Sequence, residues 1–85
     1  MKETLPEIFQ GLRDELDFAT KTYPEFASAH EGFAILQEEV DELWDLVKLK
    51  QSKRDAEDMQ KEALQIAAMA IRFAYDVCAK QRGLK

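Results

Sequence analysis

Apolar residues recur every three or four positions along most of this 85-residue chain, a spacing that places them on one face of a helix. The pattern covers three stretches, at about residues 5–20, 25–49 and 55–81, and lapses into polar segments between them. The second stretch keeps an average apolar spacing of about 3.5 residues, which is typical of a long, coiled-coil-like helix. The pattern therefore predicts an all-α fold, an antiparallel helical bundle of three main helices per chain.

Capping signals mark where these helices begin. Residues 4–7 (TLPE) have the form of a capping box, in which a threonine hydroxyl accepts from the glutamate amide three positions later. Residues 22–25 (TYPE) repeat this arrangement before the second helix, which could also begin later, after Ser28. Ser52 and Asp55 are alternative caps for the third helix.

The third helix is apolar around most of its circumference, above all over Ala63–Ile71. Such a helix must be covered on nearly all sides, and two partner helices in so short a chain leave part of it open. We therefore expect homo-oligomerisation to complete the bundle, with the dimer contact on this alanine-rich stretch. The alternative is a monomeric bundle in which the third helix is simply central.

Composition narrows the class of protein. Seventeen acidic residues against 12 basic ones give a net charge of -5, which argues against binding to nucleic-acid polymers or anionic membranes. The single cysteine, Cys78, excludes an internal disulfide framework, and its position suggests a small buried hydrophobe. Lacking a long apolar run or a signal-peptide pattern, the chain is expected to be one soluble, cytoplasmic domain over residues 1–85.

Acidic residues stand beside apolar faces on the second and third helices. Glu39 and Glu42 share a stripe with Ile35 and Leu46, and Glu62 borders the apolar face of the third helix. The polar segment that joins the second and third helices lies between Glu42 and Glu62 in the sequence. If these two helices pack antiparallel, the three carboxylates should therefore lie at the same height along the helix axes. The main apolar face of the second helix lies next to the acidic stripe and comprises Phe33, Leu36, Val40, Leu43 and Val47.

Three converging carboxylates are typical ligands of a hard cation such as Mg2+ or Mn2+. Burying like charges is costly, and a divalent cation would relieve that cost. The alternative is a solvated acidic face, which is common on soluble helices. Glu31, Glu38 and Asp45 share a more polar stripe and are expected to be mainly solvated.

The acidic motifs resemble a known family. Residues 38–42 (EEVDE), followed after nineteen residues by 62–65 (EALQ) and an apolar helix, resemble the all-α nucleotide pyrophosphohydrolases of the MazG-like superfamily. That family's pattern is Glu-Glu-x-x-Glu, a connection of comparable length, then Glu-x-x-Asp. The resemblance implies a Mg2+-dependent enzyme that splits a nucleoside triphosphate into monophosphate and pyrophosphate. It also implies a homodimer or tetramer with active sites near subunit interfaces.

The resemblance also implies roles for individual residues. Carried over by position, Glu39, Glu42 and Glu62 would be metal ligands. Glu38 would be a fourth acid, with a catalytic role in orienting the attacking water.

One position departs from the family pattern. Gln65 stands where the family has aspartate, and an amide oxygen can still coordinate a metal but contributes no charge. Asp58, one helical turn before Glu62, could compensate. Two interpretations follow: a variant pyrophosphohydrolase that uses three carboxylates, or a MazG-like fold with weakened or lost activity. A non-catalytic helical oligomerisation module is the alternative from a different class.

Further candidates for substrate binding lie outside the acidic motifs. Lys53 and Arg54 belong to a basic connection that could meet phosphate, or that could be a solvated turn. Trp44 leaves the central stripe of the second helix, so it could lie at an interface or a pocket edge. His30, near the start of that helix, could contact a nucleotide.

The remaining aromatic and charged residues are interpreted as structural. Arg72 and Asp76, four positions apart, are expected to form an exposed ion pair. The other aromatic residues could line a base pocket, but their helical spacing favours core positions: Phe9, Phe18, Phe26, Phe33, Phe73 and Tyr75.

Overall fold

The computed structural model describes residues 3–84, and these residues form helices and no β-strand. Among the described residues, none of the helices has the length and apolarity needed to cross a membrane. The predicted all-α class with three main helices is confirmed. The elements are α1 (Leu5–Thr22), α2 (Ala29–Val47), a 3₁₀ turn (Gln51–Lys53), α3 (Ala56–Phe73) and a π-helical segment (Ala74–Ala79) that continues α3.

Side-chain caps explain where α1 and α2 begin. Thr4 Oγ1 accepts from the Glu7 amide at 3.4 Å, as the capping box predicts. The Glu7 carboxylate accepts from the threonine hydroxyl, at 3.1 Å. α2 begins at Ala29, because Ser28 Oγ accepts from the Glu31 amide at 3.0 Å and the preceding loop is not helical. The predicted start at residue 25 is therefore wrong, and the later start after Ser28 is confirmed.

Helix α3 lies in the middle of the fold, because α1 and α2 each pack against it while contacts between α1 and α2 are few. α2 runs antiparallel to α3, because the first turn of α2 lies against the end of α3. α1 runs parallel to α3, because Gln60 donates to Glu3 at one end and Arg72 donates to the Pro24 carbonyl at the other. The result is a layer of three helices measuring 47 × 27 × 20 Å. Because the three helices lie in one layer, α3 is flanked by α1 and α2 but is left uncovered on the two broad faces of that layer.

The core is small and lies where α3 meets its two neighbours. Gly32 permits part of this packing, because a β-carbon there would lie 2.8 Å from the Phe73 ring and 2.9 Å from the Phe26 ring. No large side chain among residues 3–84 is fully buried. The buried apolar residues are Ala19, Phe26, Ala68, Met69 and Val77.

The connection between α2 and α3 sets the level at which the two helices face each other. Arg54 Nε donates to the Val47 carbonyl at 2.8 Å and to the Leu49 carbonyl at 3.1 Å, which caps the end of α2. The Asp55 carboxylate accepts from two amides in the first turn of α3. Of the two predicted caps for this helix, Asp55 is the correct one.

The chain remains helical beyond α3 to residue 81, where the prediction ended it. The π-helical segment widens this last part, and the sequence pattern did not predict it. Gly83 then adopts a φ of +74°, a conformation that favours glycine, and the Leu84 amide donates to the Ala79 carbonyl at 2.8 Å.

Several side chains predicted for the core are exposed. On α2, Phe33 is 60% and Val40 is 39% exposed. The reason is that α2 turns Ile35 and Leu46, and with them the acidic stripe, toward α3. Further residues predicted to be buried or core are exposed as well: Phe9, Phe18, Tyr75 and Cys78.

Candidate metal centre and adjoining cavity

Three carboxylates converge where α2 faces α3. Glu39 and Glu42 lie one turn apart on α2, and Glu62 faces them from α3. One oxygen atom of each carboxylate lies within 4.8 Å of the other two. Glu39 and Glu62 are half-buried and Glu42 is exposed. We call these three residues the acid cluster, and its convergence agrees with the spacing argument.

Burial and repulsion favour the protonated forms of the two half-buried acids. The pKa of Glu39 rises from its ordinary value of 4.5 to about 7, through desolvation first and then through the charges of Glu42 and Glu62. The pKa of Glu62 is raised by desolvation first and then by its hydrogen bond and charge contact with Glu42. The acid cluster therefore holds like charges that the protein itself does not fully compensate.

Gln65 lies beside the acid cluster, one turn after Glu62. With its amide oriented so that the NH2 group faces the acids, Nε2 lies 3.0 Å from Glu62 Oε2 and 3.0 Å from Glu39 Oε2. The amide thus donates to two carboxylates and links α2 to α3. To act as a metal ligand, Gln65 would have to rotate its amide oxygen toward the acid cluster.

The other predicted site residues lie outside the acid cluster. Asp58 is exposed in the first turn of α3, and Lys53 is exposed in the 3₁₀ turn. Trp44 is 58% exposed, and His30 is exposed at the start of α2. The acids expected to be solvated are indeed exposed: Glu31, Glu38 and Asp45.

Arg72 and Asp76 are buried, at 6% and 7% exposed, so the prediction of an exposed ion pair is wrong. Arg72 Nη2 lies 3.8 Å from Asp76 Oδ2 and donates to the Pro24 carbonyl at 2.6 Å. The Arg72 guanidinium lies 4.6 Å from the centroid of the Phe26 ring, and Asp76 Oδ2 accepts from the Phe26 amide at 3.1 Å. We call these four residues (Pro24, Phe26, Arg72 and Asp76) the loop clamp, because they fasten the α1–α2 loop to the end of α3 and the π-helical segment.

A cavity of about 470 Å³ opens between α1, the α1–α2 loop and α2, with α3 as its floor. Phe18, Tyr23 and Phe26 form its aromatic walls, and the first two rings meet edge to face with centroids 6.4 Å apart. Glu39 and Gln65 also line this aromatic cavity, so it borders the acid cluster. Sequence reasoning assigned Phe18 and Phe26 to the core and gave Tyr23 no role.

The donor chemistry of the acid cluster suits a hard divalent cation. Mg2+ and Mn2+ prefer carboxylate oxygens, and three of these lie within mutual reach. A cation there would offset both the desolvation and the repulsion that raise the pKa values of Glu39 and Glu62. The three carboxylates could therefore hold such an ion.

Comparisons of the chain with protein-family models, with curated proteins and with solved structures find no match. The function is therefore inferred from the residues and geometry of the site.

Proposed function

We propose that the protein is a cytoplasmic, Mg2+- or Mn2+-dependent pyrophosphohydrolase of nucleoside triphosphates with a MazG-like helical domain. The observation that carries this proposal is the convergence of Glu39, Glu42 and Glu62 within 4.8 Å of one another. The motifs that supply these acids are the ones that resemble the MazG-like superfamily. The products would be a nucleoside monophosphate and pyrophosphate.

In this proposal each acid has a distinct task. Glu39, Glu42 and Glu62 would hold the cation, which would supply charge neutralisation on the polyphosphate and lower the pKa of an attacking water. Glu38 lines the aromatic cavity next to Glu39, where its carboxylate can orient that water and accept a proton from it. Gln65 positions Glu39 and Glu62 through its amide hydrogen bonds.

Four further residues remain candidate substrate contacts in this proposal. Lys53 and Arg54 carry positive charge that attracts phosphate, although Arg54 also caps the end of α2. His30 is exposed on α2 and accessible to a ligand. Trp44 is exposed in the single chain and would contact a ligand only at the edge of a subunit interface. Asp58 is exposed outside the acid cluster and would contribute to metal binding only after a rearrangement.

The test is an assay of pyrophosphate release from a panel of nucleoside triphosphates with Mg2+ or Mn2+. We expect pyrophosphate and monophosphate as products, no reaction in EDTA, and loss of the reaction in Glu39→Gln and Glu62→Gln. Glu57→Gln is the matched control, because Glu57 is an exposed acid on α3 outside the acid cluster. Wild-type rates in both cluster variants would overturn the proposal.

A non-catalytic, degenerate MazG-like oligomerisation module is the second candidate function, and Gln65 is the observation that favours it. Its amide already serves as a neutral partner of Glu39 and Glu62, and it contributes no charge to a metal site. In this case the protein would release no pyrophosphate with any metal. Substitutions in the acid cluster would then leave the oligomer unchanged.

We also propose that a second copy of the chain completes the helical layer, as a homodimer or within a tetramer. The chain exposes 6565 Å² of surface, whereas a compact monomer of this length would expose about 5,200 Å². The difference is comparable to one partner's share of an obligate dimer interface, about 1,000 to 2,500 Å².

The face of the layer opposite the aromatic cavity is the proposed interface. Phe33, Val40 and Trp44 fall in one stripe of α2 and are 39% to 60% exposed. On α3, a stripe of small residues is exposed as well, in agreement with a contact on the alanine-rich stretch: Ala63, Ala70 and Ala74.

Trp44→Glu tests this interface, because it places a charge at an exposed apolar position. We expect the wild type to sediment as a dimer or tetramer and the variant to sediment as a smaller species. Asp45→Lys, a charge change on the polar stripe of α2, should leave the assembly intact. A wild-type protein that sediments as a monomer at all concentrations would contradict the proposed assembly.

A further inference from the structure

We infer that the aromatic cavity receives the base of the nucleotide and favours bases that carry an exocyclic amino group. This inference rests on the proposed function for the phosphate end of the ligand. Glu39 makes the connection, because it lines the aromatic cavity and also belongs to the acid cluster.

The aromatic cavity has the size and walls of a small-molecule site. Its volume of about 470 Å³ lies within the range of about 300 to 1,000 Å³ that is usual for ligand pockets. Phe18 and Tyr23 are exposed and offer ring faces and edges on which a base can stack, and the buried Phe26 ring completes the wall. Because every base has a π-face, stacking supplies affinity without choosing among the bases.

The loop clamp fixes one of these walls. Phe26 is 7% exposed, its amide donates to Asp76, and its ring packs against the Arg72 guanidinium. The wall is therefore formed without a ligand, which lowers the conformational cost of binding.

Charge on the lining decides which end of a nucleotide enters. Glu15, Glu31 and Glu38 line the aromatic cavity together with Glu39, and the cation that faces them, Arg72, is engaged in the loop clamp. A polyphosphate would be repelled by these carboxylates, whereas an uncharged base would not. The base therefore enters the cavity, and the phosphates remain on the side of the acid cluster.

The same carboxylates provide selection among bases. Ionised carboxylates accept hydrogen bonds and donate none. Glu31 already accepts from the Ala27 amide at 2.9 Å, and the proposed function assigns Glu38 to the attacking water, which leaves Glu15 to accept from the base. Cytosine, adenine and guanine each carry an exocyclic amino donor, whereas uracil and thymine carry carbonyl oxygens in place of one.

Nucleosides without phosphate test the aromatic cavity independently of any metal. Titrations of the full chain with cytidine, adenosine and uridine in EDTA, followed by saturation-transfer NMR, measure the three affinities. We expect cytidine and adenosine to bind about 5- to 100-fold more tightly than uridine. Tyr23→Ala should weaken cytidine binding by about 5- to 100-fold through lost stacking.

Glu15→Gln tests the origin of the selection, because an amide can donate to uridine as well as accept from cytidine. We expect this variant to bind cytidine and uridine within about threefold of each other, once the difference of about 1 to 3 kcal/mol per donor contact is removed. Asp14→Asn is the matched control, since Asp14 is the adjacent acid, exposed and outside the cavity. It should keep the wild-type preference.

The outcomes separate this inference from the proposed function. Absence of nucleoside binding to the wild type would overturn the base site, even if the enzyme releases pyrophosphate. Equal binding of cytidine and uridine to the wild type would overturn the selection. Selective binding without pyrophosphate release would support the base site and count against the hydrolase.

Discussion

Charged side chains cluster in two regions of the protein, the loop clamp and the acid cluster, and the two clusters differ in whether opposite or like charges meet. In the loop clamp, Arg72 and Asp76 are almost fully buried and meet an opposite charge, a carbonyl, an amide and an aromatic ring. In the acid cluster, Glu39 and Glu62 are half-buried among like charges, and their pKa values are raised. Buried charges that are fully paired hold structure together, whereas like charges held in contact reduce stability and are typical of binding sites.

Breaking the loop clamp should have the largest effect. Arg72→Ala removes the guanidinium from the buried Asp76 carboxylate, the Pro24 carbonyl and the Phe26 ring, so the free energy of unfolding should fall by about 3 to 5 kcal/mol. Chemical denaturation measures this loss, with Arg82→Ala as the control because Arg82 is exposed near the chain end. Equal unfolding midpoints for the two variants would show that the loop clamp contributes little to stability.

The acid cluster should respond with the opposite sign. Glu39→Gln removes a repelled charge, so without metal the variant should be more stable than the wild type by about 1 to 2 kcal/mol at pH 8, after allowance for solvent screening. Because the pKa of Glu39 is raised in the folded state, the wild type should lose this stability as the pH rises from 4.5 through about 7.

Thermal unfolding of the wild type and Glu39→Gln in EDTA between pH 5 and pH 8 measures this difference. We expect the two curves to meet near pH 5 and to separate toward pH 8. A variant that is less stable than the wild type at pH 8 would mean that the Glu39 charge is favourable in the free protein.

Gln65 should give the smallest change in stability. Gln65→Leu removes two hydrogen bonds to charged groups, which should lower the free energy of unfolding in EDTA by about 1 kcal/mol at pH 8. Gln65→Asp restores the acid of the family pattern and should raise the affinity for Mn2+ while lowering stability in EDTA. Weaker Mn2+ binding by Gln65→Asp would show that this position does not serve as a ligand.

Local spacing was sufficient to predict the three helices and the convergence of the acid cluster, and it left Ser52 and Asp55 as alternative caps, of which the structure has Asp55. These features depend on helical periodicity and on one short connection. The burial of Arg72 and Asp76 depends instead on where the α1–α2 loop crosses α3, which periodicity does not specify. One feature of the sequence could have indicated this burial. A helix that is expected to be covered on nearly all sides should bury some of its polar side chains as well.

The orientation of α2 could not be predicted for a similar reason. Its acidic stripe and its apolar face lie side by side, so helical periodicity allows either one to face α3. In the structure Ile35 and Glu39 face α3. In this orientation of α2, Phe33 and Val40 are exposed. The aromatic cavity escaped prediction because its walls come from α1 and from the loop, which are distant in sequence from the acidic motifs.

The most direct test of the central claim is calorimetric titration of Mn2+ and Mg2+ into the wild type and Glu62→Ala, with Glu57→Ala as the control. We expect saturable binding by the wild type and Glu57→Ala, and none by Glu62→Ala. Equal binding by all three proteins would contradict the central claim, because the cation would then lie outside the acid cluster. Absence of binding by the wild type, even with a non-hydrolysable nucleotide present, would also contradict it and would favour the oligomerisation module.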